Sequence, residues 1–126
     1  MTQENKDLLL KDLCARLSYG VKGIVEDGIK VTTPSEWPVE KSIEFSMRYM
    51  VIKNGWKPYL FPMSSLTEEQ RNFLHTNPNG IYIQLFDNTV ISASNEGFDW
   101  LNKNHFDYRG LIPKGIALDA TNLNIY

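Results

Sequence analysis

The sequence predicts an α+β fold: a mainly antiparallel sheet built from hairpins, with about three helices packed on it. Three observations carry this expectation. Short β-branched and aromatic runs are punctuated by turn residues, as at Asp27 and Gly28, Asn54 and Gly55, and Asp87 and Asn88. Helical apolar spacing recurs between these runs, without the rhythm of βαβ units. The stretch 56–70, WKPYLFPMSSLTEEQ, joins an aromatic extended segment to a marked helix start. There Pro58 and Pro62 push Lys57 and Phe61 toward extended backbone. Thr67 and Gln70 have the spacing of a capping box.

Residues 5–17 give the first predicted helix. Leu9, Leu10, Leu13 and Leu17 recur on one face, with Cys14 beside them as a small buried hydrophobe. Lys6, Asp7, Lys11, Asp12 and Arg16 fall on the opposite, solvent face. Asp12 and Arg16 are an i,i+4 pair contributing roughly 0.2–0.5 kcal/mol. Asn5 is the N-cap candidate and Gly20 the left-handed stop. Residues 21–25 and 29–33 read as a hairpin around Glu26, Asp27 and Gly28, followed by a PSEWP loop that offers Trp37 as an anchor.

Residues 43–52 alternate, with Ile43, Phe45, Met47, Tyr49 and Val51 on one face, which predicts a long strand. After the aromatic stretch a helix over 68–75 buries Phe73 and Leu74. Asn77, Pro78, Asn79 and Gly80 break it. Residues 81–86 and 89–93 form a second hairpin about Asp87 and Asn88. Asn95 caps a helix through Asn104 that buries Phe98, Leu101 and Trp100. The tail, 106–126, reads as irregular but packed by Leu111, Ile112, Ile116, Leu118, Leu123 and Ile125.

The 126 residues suffice for one globular domain spanning 1–126. A net charge of −2 without a basic stripe argues against a nucleic-acid partner. One cysteine precludes an internal disulfide. The absence of a long apolar run argues against a membrane partner, and the start MTQENKDLLLKDL lacks the features of a signal peptide, so a cytoplasmic location is expected. No metal or cofactor is expected either. His75, His105 and Cys14 lack zinc-site spacing, and Gly20 and Gly23 match no phosphate-loop pattern.

Two groups of residues are candidates for function. In NKNHFDYRG, 102–110, His105 would serve as general base, Asp107 would orient it, and Arg109 would clamp an anion beside Tyr108. The plainer reading makes His105 a helix-terminus residue and Asp107 and Arg109 ties for a buried loop. Trp37, Trp56, Tyr59 and Phe61 are either core anchors or an aromatic binding patch.

Three blocks, KDLLLKDLCARLSYGV at 6–21, KPYLFPMSSLTEEQ at 57–70 and WLNKNHFDYRGLIPKGIALDA at 100–120, carry a resemblance. The chain resembles a family of short proteins of gut Bacteroides-type bacteria and their prophages, one that brings no assigned activity, cofactor or catalytic residue. The resemblance implies a bacterial or phage-encoded cytosolic protein. The expected function is a non-enzymatic accessory or protein-interaction module, with a protein partner or a homo-oligomer. The alternative is a small enzyme or ligand-binding domain using the loop at His105, Asp107, Tyr108 and Arg109.

Overall fold

The computed structural model describes residues 1–25, 28, 31–37, 48–76 and 80–126. In chain order these hold α1 (Gln3–Arg16), β1 (Gly23–Ile24), β2 (Lys57–Pro62), α2 (Glu68–Thr76), β3 (Ile83–Phe86), β4 (Thr89–Ala93), α3 (Asn95–Lys103), β5 (Phe106–Asp107) and β6 (Leu118–Asp119). The architecture is α+β. Antiparallel pairing predominates, in β1 with β2 and β3 with β4, and β2 adds short parallel pairings to β5 and β6.

Strand β2 lies at the centre because it changes partner every two residues. Lys57 and Pro58 pair with β1, Tyr59 and Leu60 with β6, and Phe61 and Pro62 with β5. Two prolines are tolerated here because the needed donors lie between them. The amide of Tyr59 donates to Lys22 O and that of Phe61 to His105 O. Leu60 packs in one apolar cluster with Leu9, Leu13, Trp56, Leu111 and Ile116. Phe61 packs against a second cluster, around Met63, Leu74, Ile83, Leu101 and Phe106. One extended segment therefore divides the core in two.

The helix signals place α2 and α3 well. Thr67 N donates to Gln70 Oε1 and Gln70 N to Thr67 Oγ1, which completes the capping box. Ser94, not Asn95, caps α3, its hydroxyl accepting from Gly97 N. Ser94 is the residue that keeps extended backbone, so its side chain is the one that reaches the first-turn amides. Likewise Thr2, not Asn5, caps α1, and Asn5 N donates to the Thr2 hydroxyl. Gly20 takes the left-handed conformation, ending the 3₁₀ turn Leu17–Tyr19 that follows α1. The second hairpin turns at Asp87 and Asn88, both with positive φ, as a two-residue type I′ turn requires.

Other expectations are corrected. The buried stripe of α1 is Leu9, Asp12, Leu13 and Arg16, an i, i+3, i+4, i+7 set, so Asp12 and Arg16 lie in the interior rather than on the solvent face. Cys14 falls outside that stripe and is exposed. Within 43–52, the part that is described holds no strand: Tyr49–Lys53 is a π-helical turn, closed by Asn54 N on Tyr49 O. Tyr49 is exposed and Val51 fully buried, so alternate residues do not share a face. Apolar residues of both parities at Met50 and Val51 fit a turn as well as a strand. Phe73 is exposed, at the edge of a ring contact with Trp100, while Leu74 fills the core. The tail is packed through Leu111 and Ile116, yet Leu123 is half exposed and β6 lies within it.

Gly23 bonds in both directions to Thr32, an antiparallel bridge that fits the first hairpin. The turn residues Glu26 and Asp27, positions 29 and 30, Pro38, the alternating residues 43–47 and the breaker residues Asn77, Pro78 and Asn79 lie outside the described residues.

Candidate functional site

The segment 102–110 leaves α3 through Asn104 and reverses at His105, which adopts φ 64°. Only then do Phe106 and Asp107 pair with β2. This geometry sends successive side chains in different directions. The Asp107 carboxylate accepts from Leu111 N at 2.8 Å and Ile112 N at 2.9 Å. It caps the turn that follows, with both oxygens engaged. His105 is buried and stacks on Tyr126, ring centroids 3.7 Å apart at 13°. Its imidazole is held down at about 4, first by burial and then by the charges of Arg16 and Lys22. A base at that value is weak near neutral pH.

Tyr108 and Arg109 join the residues that α1 buries. Asp12 Oδ2 accepts from Arg16 Nε at 2.8 Å, and Oδ1 from Arg16 Nη2 at 3.1 Å and Arg109 Nη1 at 2.8 Å. Asp12 and Arg16 side chains are 0% exposed and Arg109 18%. Both guanidinium groups flank the Tyr108 ring, at 5.4 and 4.6 Å from its centroid. The Tyr108 hydroxyl donates to Asn102 Oδ1 at 2.9 Å. Arg16 Nη2 also donates to Phe106 O, so α1 is fastened to β5 as well as to the loop. Two cations share one carboxylate in the interior, and the arrangement ties distant segments together.

The four residues proposed as a catalytic group are therefore not brought into one cleft. Asp107 serves backbone amides, His105 serves the tail, and Tyr108 and Arg109 serve α1. A shallow depression of about 390 Å³ is bordered by Asp107, Tyr108, Arg109, Ser64 and Asn88. Its acidic residue is already bonded to the chain, as is its arginine. Among the described residues no three His, Cys, Asp or Glu side chains gather as a metal-binding group.

Of the aromatic set, Trp37 and Trp56 belong to the core. Their rings meet edge to face, with centroids 5.0 Å apart, and both indole N–H groups point to Thr32 Oγ1. They cannot form a surface patch. Tyr59 and Phe61 are half-buried on β2.

A group of exposed apolar residues lies on the second hairpin, which sequence reasoning had placed but not weighed as a contact surface. Phe86 is 68% exposed, Ile91 59% and Tyr82 39%. Their inward neighbours Ile83, Leu85, Val90 and Ala93 pack on the second cluster. The legible signal was the composition of IYIQLF and VISAS, which carry no charge on either face. A half-buried hairpin ordinarily has a polar outer face.

No described helix is long and apolar enough to cross a membrane. Comparison with protein-family models, curated proteins and solved structures finds no match to this chain.

Proposed function

We propose that this protein is a non-catalytic protein-interaction module whose contact element is the β3–β4 hairpin, in the bacterial or prophage setting that its resemblance implies. The observation that carries the reading is the exposed apolar face at Tyr82, Phe86 and Ile91. Aromatic and aliphatic groups so exposed recover free energy when a partner covers them, at roughly 25 cal/mol per Å². The commitments of Asp107, Tyr108 and Arg109 to the fold support the same reading, since they remove the residues on which the enzymatic alternative depends.

The test is capture from native lysate with three baits: wild type, Phe86→Lys/Ile91→Lys, and Leu123→Ser, which alters an exposed residue outside the hairpin. The expected result is a protein retained in stoichiometric amount by wild type and Leu123→Ser and lost by the double variant. Retention that ignores the double substitution would overturn the assignment of the hairpin. A turnover abolished by His105→Asn would overturn the non-catalytic reading.

A further inference from the structure

We infer that Lys22, Tyr59, Phe61 and His105 form a slot for one neutral phenol ring, which Tyr126 fills from within the chain and from which a free phenol or another tyrosine side chain displaces it. The inference goes beyond the reading of the hairpin and does not depend on it. The slot opens where β2 changes partner. The register of β1 with β2, Gly23 to Pro58 and Ile24 to Lys57, continues to Lys22 opposite Tyr59. Gly23 turns both of its backbone groups to Thr32, so Lys22 and Tyr59 face each other as a pair that ordinarily exchanges two hydrogen bonds. One is made directly, Tyr59 N to Lys22 O at 2.7 Å. The other runs through a side chain: Lys22 N donates to the Tyr126 hydroxyl at 2.7 Å, and that hydroxyl donates to Tyr59 O at 2.8 Å. Lys22 O stands 3.2 Å away as a second acceptor. A phenol hydroxyl occupies the place where the ladder would close.

The rest of the slot fits the ring. His105 stacks on it with centroids 3.7 Å apart at 13°, a position that its left-handed backbone, φ 64°, sets. Phe61 flanks it at 5.8 Å and 56°, and the Lys22 ammonium stands 5.7 Å from its centroid. The hydroxyl must accept and donate at once, which selects a neutral phenol. A benzene ring of the same shape would cover Lys22 N and Tyr59 O without pairing them, and a site built to bond a hydroxyl rejects the analogue that lacks it.

Tyr126 is placed to leave. It keeps 38% of its surface exposed, so the slot has an open side. Residues 121–124, which link it to buried Ala120, are exposed, and near its tip this strap is fastened by Lys22 Nζ donating to Ile125 O at 2.7 Å. Asn122 and Asn124 take φ 65° and 56°, a conformation asparagine tolerates, and so reverse the strap toward β2. When the ring withdraws, Lys22 N and Tyr59 O bond to each other or to water at the open side, so release strands no polar group. A short tether holds its end at an effective concentration in the millimolar range, so an entering phenol competes with Tyr126 and binds the intact chain more weakly than a chain without that ring.

Heteronuclear NMR of the full chain, wild type and Tyr126→Ala, titrated with p-cresol, toluene and N-acetyltyrosinamide, tests this. Tyr126→Ala binds p-cresol with a Kd of about 1 mM or below and shifts the Lys22 and Tyr59 amide resonances. Toluene binds the variant at least tenfold more weakly, and wild type binds p-cresol at least tenfold more weakly than the variant does. Entry of N-acetyltyrosinamide with the same shifts assigns a peptide-borne tyrosine as the ligand, and its exclusion while p-cresol enters assigns small free phenols. If Tyr126→Ala is unfolded alone, p-cresol, and not toluene, restores its dispersed spectrum. Equal binding of toluene, equal binding by wild type, or a p-cresol that neither shifts Lys22 nor restores the fold overturns the inference.

Discussion

At Asp12 a single buried carboxylate accepts from two guanidinium groups, Arg16 in the interior and Arg109 partly exposed. Removing one partner of a buried ion pair leaves uncompensated charge, which costs about 3–5 kcal/mol. Asp12→Ala is accordingly expected to destabilise the fold by that amount in urea titration, far beyond the few tenths expected of a surface i,i+4 pair. Cys14→Ser, one position past the buried stripe, should change stability by less than about 0.5 kcal/mol. The pairing of Asp12 with Arg16 was legible in the sequence. Its burial was not, because α1 buries Asp12 and Arg16 beside Leu9 and Leu13, at positions that a hydrophobic pattern assigns to solvent. Arg109, 97 positions away, adds a further donor to the buried carboxylate, and no local pattern reports so distant a partner.

His105 adds a pH dependence of definite sign. Its imidazole takes a proton near 6.5 when unfolded and near 4 when folded. The unfolded chain thus binds more protons between these values, so the stability contributed by neutral His105 is full above 6.5 and is lost as pH falls toward 4. Below 4 this residue adds no further slope. His105→Asn keeps a residue tolerant of positive φ and removes the titration. Urea midpoints at pH 7, 5.5 and 4.5 should fall further for wild type than for this variant, and parallel profiles would contradict the assignment.

At the scale of elements, the turn of the second hairpin and the capping box of α2 were readable because each is fixed by chemistry within four residues. Asn88 shows how local that chemistry is. It tolerates φ 64° and accepts Arg71 Nη2 at 2.7 Å. Asn88→Ala loses both properties and should cost about 1–2 kcal/mol, while Asn88→Gly, which keeps the backbone freedom, should cost less. Thermal melts of the two variants compare them directly. The π-helical turn at Tyr49–Lys53 was misread because its apolar residues occupy both parities, and what selects the turn is remote. Trp56 must enter the core, and its amide is held by Met50 O. Gly23 marks the same constraint from the other side, since a Cβ there would stand 2.3 Å from the Trp56 ring. Gly23→Ala should therefore displace Trp56 and redshift its fluorescence.

At the scale of the molecule, β2 was legible as the organising segment from its prolines, aromatics and capping box. Its partners were not. They lie about 33, 45 and 60 positions away, and sequence patterning reports periodicity, not acquaintance. The same fact governs how the protein comes into being. On the ribosome β2 emerges well before Phe106 and Leu118, and at about 5–20 residues per second it waits several seconds for them. During that interval its ladder groups and aromatic side chains are open to other chains. Contacts this distant also raise the contact order, placing refolding nearer the millisecond-to-second range than the microsecond range of local folds. Tryptophan fluorescence at Trp37 and Trp56 in stopped flow reads that rate. A nascent chain halted before Leu118 should be the species that chaperones hold longest.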